Sequence, residues 1–72
     1  MTSSTKKTAE KLRANVQKHR VRLKLTRLQL SIQADVSKDY IYDIEAGRRV
    51  PKLDVICRLA DAFKIEPFEL LK

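Results

Sequence analysis

Apolar residues return along the chain at helical spacing, and the polar positions between them mark where one helix stops and the next starts. Leu12, Val16, His19 and Leu23 recur at steps of four, three and four residues, which is one stripe of an α-helix. Thr8 stands ahead of the stripe as an N-cap, so the pattern predicts a helix over about 8–23. Residues 1–7 are polar and small, without periodicity, and are expected to form a flexible tail. Thr26-Arg27-Leu28-Gln29 has the form of a capping box. The Thr hydroxyl can accept from the backbone N–H three residues on, and the Gln side chain can reach back. A second helix therefore starts there, with Leu30 and Ala34 on one face, and runs out near Asp35. Ser37 is a further N-cap. A third helix from Lys38 to about Ala46 buries Ile41 and Ile44, and Gly47 stops it. Leu53, Ile56, Leu59, Ala60 and Phe63 predict a fourth helix over about 53–63. Asp54 sits in its first turn, where negative charge is favoured. Pro67 suits the first turn of a short fifth helix ending near Leu71, with Phe68 and Leu71 closing the core. The expected fold is all-α.

Composition narrows what such a domain can be. The chain has 72 residues, enough for one domain. Its 43% hydrophobic content is that of a folded chain. One Gly and two Pro, all from Gly47 onward, leave long stretches free of helix breakers. A single Cys excludes an intramolecular disulfide, and Cys57 reads as a small core residue. A single His leaves a Cys/His zinc site short of ligands, so no metal or cofactor is expected. No run approaches the ~20 apolar residues of a membrane span. The opening MTSSTKK lacks a secretory signal's apolar stretch. The expected location is cytoplasmic, in association with the nucleoid.

Charge adds the first hint of a partner. Residues 1–27 carry nine Lys and Arg against the single acid Glu10, whereas residues 28–72 carry seven against eight. The net charge of +7 thus lies in the N-terminal third. Such a segment suits a polyanion, either nucleic acid or an anionic membrane surface, or is simply a solvated helix face. The first helix has a narrow apolar stripe with a His in it, which favours packing on other helices over lying on a membrane. The two short capped helices around Asp35 are a candidate helix-turn-helix. Ser31 is small, as a steep helix crossing requires. Asp35 tolerates positive φ at modest cost where the turn needs it.

The ordered set Arg20, Leu25-Thr26, Leu30-Ser31, Val36-Ser37, Tyr40-Ile41, Ile44-Glu45 with Gly47, Pro51, Leu59-Ala60 and Phe63 resembles the lambda-repressor-like helix-turn-helix family (Cro/repressor-type, or xenobiotic-response-element family). The likeness spans about Leu12 to Leu71. It implies a compact five-helix DNA-binding domain over 8–72, with the motif at about 27–46 and its second helix in the major groove. By that resemblance Lys38, Asp39, Tyr42 and Asp43 stand where bases are read. Lys can donate to guanine, and Asp can accept from cytosine N4. Thr26 and Arg27, at the start of the second helix, and Tyr40, Arg48, Arg49 and Lys52 would meet the phosphate backbone. Arg20 and Glu45 match a pair that ties the first helix to the third. Three residues depart from the family pattern. Lys24 and Asp35 replace glycines at turns, and Lys52 replaces the Ser or Thr that caps the fourth helix.

The function so implied is a sequence-specific regulator of transcription, most simply a repressor that binds an inverted-repeat operator as a homodimer. The alternative is an adaptor that uses the same fold to bind another protein. Two features motivate it: the acids Asp39 and Asp43, which cost affinity for a phosphate-lined groove, and Leu28 and Ile32, one turn apart on the second helix where many relatives are polar. The other reading of Leu28 and Ile32 is packing against the first helix or the tail. An enzyme is not expected, because no nucleophile–base pair, phosphate-cradling Gly loop or metal cluster is present in the sequence.

Overall fold

A computed structural model of the chain describes residues 3–72, and Met1 and Thr2 lie outside the described residues. Four α-helices follow one another: α1 (Ser3–Arg22), α2 (Arg27–Ala34), α3 (Lys38–Glu45) and α4 (Leu53–Phe63). A 3-10 helix over Pro67–Leu71 completes the order. The expected fifth α-helix is therefore a 3-10 turn. The helix α1 packs on α3 and on the 3-10 helix, while α2 packs on α3 and α4. Leu12, Val16, Leu30, Ile41, Ile44, Leu59, Phe63 and Leu70 fill the centre, each almost fully buried.

The helix starts at α2 and α3 follow from local chemistry. The amide of Gln29 donates to Thr26 Oγ1 at 3.0 Å, and the Thr26 amide donates to Gln29 Oε1 at 2.8 Å. At α3, the Tyr40 amide donates to Ser37 Oγ at 3.1 Å. The start of α1 differs from expectation. The Thr8 hydroxyl does not cap the helix; it donates to the carbonyl of Ser4 at 2.9 Å, the back-bonding open to Thr inside a helix. Residues 3–7, expected as part of an irregular tail, are consequently helical.

The helix ends share one device. Each of the four α-helices closes on a residue in the left-handed region, at Lys24 (φ 58°), Asp35 (φ 56°), Gly47 (φ 78°) and Lys64 (φ 59°). At α1 the amides of Lys24 and Leu25 donate to the carbonyls of Val21 and Arg20, at 2.9 and 3.1 Å, the paired bonds of a Schellman end. Lys24 and Asp35 thus adopt the conformation that glycine would hold more cheaply. Arg58 Nη1 supports the middle turn by donating to the Asp35 carbonyl at 2.9 Å. At α4, Lys52 supplies no side-chain cap.

Four apolar residues do not sit where the periodicity put them. Leu23 follows the end of α1 and is exposed. Leu53 is the first residue of α4, at the edge of an arc centred on Leu59 and Phe63, and Val55 takes the inner place instead. In the 3-10 turn, with three residues per turn rather than 3.6, Leu70 points inward, and Phe68 and Leu71 face solvent. Asn15 secures this turn by donating to the Leu70 carbonyl at 2.9 Å.

Candidate nucleic-acid interface

The helix α3 has an inner and an outer side, set by its own spacing. Ile41, Ile44 and Glu45 are buried. Lys38, Asp39 and Tyr42 are exposed, and Asp43 is half-buried. Among the described residues Lys38 and Asp39 make no ion pair or side-chain hydrogen bond, so their polar ends are open to a partner.

On the inner side, the Arg20 guanidinium meets Glu45 in a bidentate pair, Nε to Oε2 at 2.8 Å and Nη2 to Oε1 at 3.0 Å. Arg20 Nη1 also donates to the carbonyl of Leu25 at 2.8 Å. One side chain of α1 therefore holds both the loop into α2 and the end of α3. The pair is buried, with only 12% of Arg20's side chain and 2% of Glu45's exposed. Two parallel charge-assisted bonds and a carbonyl contact are what a buried guanidinium needs.

On the outer side, charged and aromatic groups gather around Tyr42. The guanidinium carbons of Arg27 and Arg48 lie 5.3 and 5.1 Å from the Tyr42 ring centre. Each arginine also has a carboxylate. Arg27 Nε donates to Glu45 Oε1 at 3.2 Å, and Arg48 Nη2 is 3.3 Å from Asp43 Oδ1. Of the four residues expected to face bases, the structure draws Tyr42 and Asp43 into this cluster and leaves Lys38 and Asp39 outside it. Of the six expected to face phosphate, Arg27 and Arg48 join the cluster. Tyr40 is half-buried against the core; its hydroxyl accepts from the Lys52 amide at 3.1 Å, and Arg49 lies 4.6 Å over its ring. Thr26 is exposed at the start of α2, and the Lys52 side chain is in solvent.

Sequence spacing carried no sign of the Arg27–Tyr42–Arg48 cluster, of Arg58 at Asp35 or of Asn15 at Leu70. All three join residues of different elements. A fourth such contact is Arg13, whose Cδ would lie 3.4 Å from a Cβ added at Gly47. His19 is a packing residue. Its ring lies 5.5 Å from that of Phe63, and Nδ1 is 3.1 Å from Arg22 Nη2. Burial holds its pKa below the ordinary 6.5, with help from Arg22 and Lys18, while Glu69 opposes.

Outside the interface, Leu28 and Ile32 project from α2 with 56% and 72% of their surface exposed. No helix among the described residues is long and apolar enough to cross a membrane.

A family profile described as a helix-turn-helix domain matches residues 11–70. Among solved structures, the restriction-modification controller protein C.AhdI from Aeromonas hydrophila superposes with a TM-score of 0.80 at 30% identity. That match covers 83% of this chain and 91% of the other. A hypothetical transcription factor, NHTF, from Neisseria shares the fold with a TM-score of 0.86 at 23% identity, over 90% of this chain and 75% of its own. No curated protein sequence matches.

Proposed function

The chain belongs to the helix-turn-helix domain family, in its lambda-repressor-like branch, and on that premise we propose that it binds double-stranded DNA by sequence and regulates transcription. The observation that carries this is the outer side of α3, where Lys38 and Asp39 stand open at the N-terminal end and arginines gather around Tyr42. In the proposed complex that end enters the major groove. Lys38 donates to a guanine edge, Asp39 accepts from a cytosine N4, and Tyr42 touches a thymine methyl or a phosphate. Asp43 sits one turn further on, where its first partner is Arg48. Thr26, Arg27, Arg48, Arg49 and Lys52 position the domain on phosphates, and Tyr40 braces the loop that carries the last three. Arg20 and Glu45 hold the two helices of the motif in register.

The simplest regulator of this kind is a homodimeric repressor on an inverted repeat, with half-sites about 10 bp apart or a multiple of that. It acts without catalysis, in the cytoplasm with the nucleoid. The likeness to a controller protein supports the regulatory role. The test is selection of bound duplexes from a random pool at near-physiological salt. An enriched inverted repeat is the expected result, and no enrichment at all rejects the proposal. One observation favours a second reading, an adaptor that binds another protein: Leu28 and Ile32 are exposed together on α2. Under that reading DNA binding is weak and indifferent to sequence, which the same selection detects.

A further inference from the structure

We propose that Asp43 acts as an internal stand-in for phosphate, occupying Arg48 until DNA is seated and thereby lowering affinity for DNA of any sequence. The proposal rests on the DNA-binding function above and assigns a role within it. The Asp43 carboxylate lies 3.3 Å from Arg48 Nη2, and the Arg48 guanidinium lies 5.1 Å from the Tyr42 ring centre. Arg48 is thereby held against α3 by an oxygen acceptor and an aromatic ring, the two kinds of contact a guanidinium makes most readily. The pair is solvent-accessible, with 61% of the Arg48 side chain and 33% of Asp43's exposed. It is therefore weak enough for a phosphate to replace.

The consequence is a lowered affinity. A DNA of any sequence offers phosphates, and taking Arg48 from Asp43 strands a carboxylate beside the polyanion. The contacts that a preferred site adds form with or without that carboxylate, so the penalty is carried on every sequence and Asp43 weakens binding to DNA in general. Glu45 does not act in the same way toward Arg27, because its carboxylate is already committed to Arg20.

The test uses the full chain and two duplexes, one carrying the selected sequence and one random, titrated across salt concentrations. In Asp43→Asn, affinity for the random duplex is expected to rise up to about five-fold, the range an exposed pair supports. Its log–log salt slope should steepen by about 0.9, one added phosphate contact. Affinity for the selected duplex should rise by a similar factor. Asp61→Asn, an exposed acid of α4 outside the interface, controls for net charge and should give a smaller rise. In an Arg48→Ala background the Asp43→Asn gain should vanish, the signature of coupling between the two. Equal gains from both Asn variants, or a gain that survives without Arg48, overturn the proposal. So does a loss on the selected duplex confined to one base pair, which would make Asp43 a base reader. Failure of the unaltered chain to bind either duplex would instead remove the DNA-binding function itself, and this role with it.

Discussion

Two acids two positions apart on α3 each hold an arginine, and their surroundings give them opposite uses. Glu45 is buried, and a second arginine and a backbone carbonyl complete its network. Asp43 is half-buried and reached by solvent, with a long single contact to Arg48. Breaking a buried pair leaves a charge with no water around it, whereas breaking an exposed one exchanges an ion pair for hydration. The inner pair therefore sets whether the motif exists, and the outer one sets how tightly the motif holds DNA. A helix of eight residues serves both ends because its inner and outer sides alternate within a single turn.

The largest expected effect breaks the inner side. Glu45→Ala strands Arg20, and removing one partner of a buried pair costs about 3–5 kcal/mol. A chain of this size has in total about 4–11 kcal/mol to lose, at roughly 0.05–0.15 kcal/mol per residue. Urea denaturation should show most of the stability gone. Asp43→Ala, on the outer side, should cost no more than about 1 kcal/mol. Equal losses from the two would erase the distinction between the pairs.

The next effect inverts the readout. Lys38→Ala should leave denaturation midpoints within about 0.5 kcal/mol of the unaltered chain. Its affinity for the preferred duplex should fall by about 1–3 kcal/mol, with relaxed preference at one base pair. A loss equal on all sequences would place Lys38 on a phosphate instead.

Between these lies Thr26, which belongs to both sides. Its hydroxyl caps α2, so Thr26→Ala should cost about 1 kcal/mol of folding stability. Any loss of DNA affinity beyond that, measured where both proteins are fully folded, reports a phosphate contact at the helix start. Thr26→Ser, which keeps the hydroxyl, should restore both.

How much of this was legible in the sequence follows the same division. The inner side repeats at helical spacing and its caps use neighbours three residues apart. Ile41, Ile44, Leu30 and Ala34, and the hydroxyls of Thr26 and Ser37, are therefore found where the pattern put them. Short-range signals lose force at the chain's ends. The Thr8 hydroxyl suits a cap or a helix interior equally, and its sequence neighbours do not decide which. Nothing local distinguishes a 3-10 turn from an α-helix in Pro-Phe-Glu-Leu-Leu, so the pattern points to Phe68 and Leu71 where the turn buries Leu70. Leu53 is exposed although it shares the periodicity, because periodicity names a face but not where neighbouring helices stop covering it. The Tyr42 cluster was not legible. Residue types at those positions suggested contacts with DNA, but the contacts the arginines make with the protein arise only once α2, α3 and the loop after Gly47 are brought together.

The smallest effect concerns a titratable group beside the inner pair. His19 precedes Arg20 on α1, and its folded pKa lies below 6.5 because burial, then Arg22 and Lys18, disfavour the imidazolium, with Glu69 in part offsetting them. In the unfolded chain the ordinary value near 6.5 returns. Above that pH the ring is neutral in both states and costs nothing. As pH falls through 6.5 the unfolded chain takes up a proton before the folded one, so stability declines. The decline stops growing once pH is below the folded value. Stability measured at pH 7.5 and 5.5 should therefore drop in the unaltered chain, and the drop should be smaller in His19→Gln, which cannot titrate. Because His19 packs on Phe63 and lies away from the outer side of α3, the preferred DNA sequence should be the same at both pH values. A change in preference with pH that His19→Gln abolishes would mean that the inner side reaches the outer one, and the division between Asp43 and Glu45 would no longer hold.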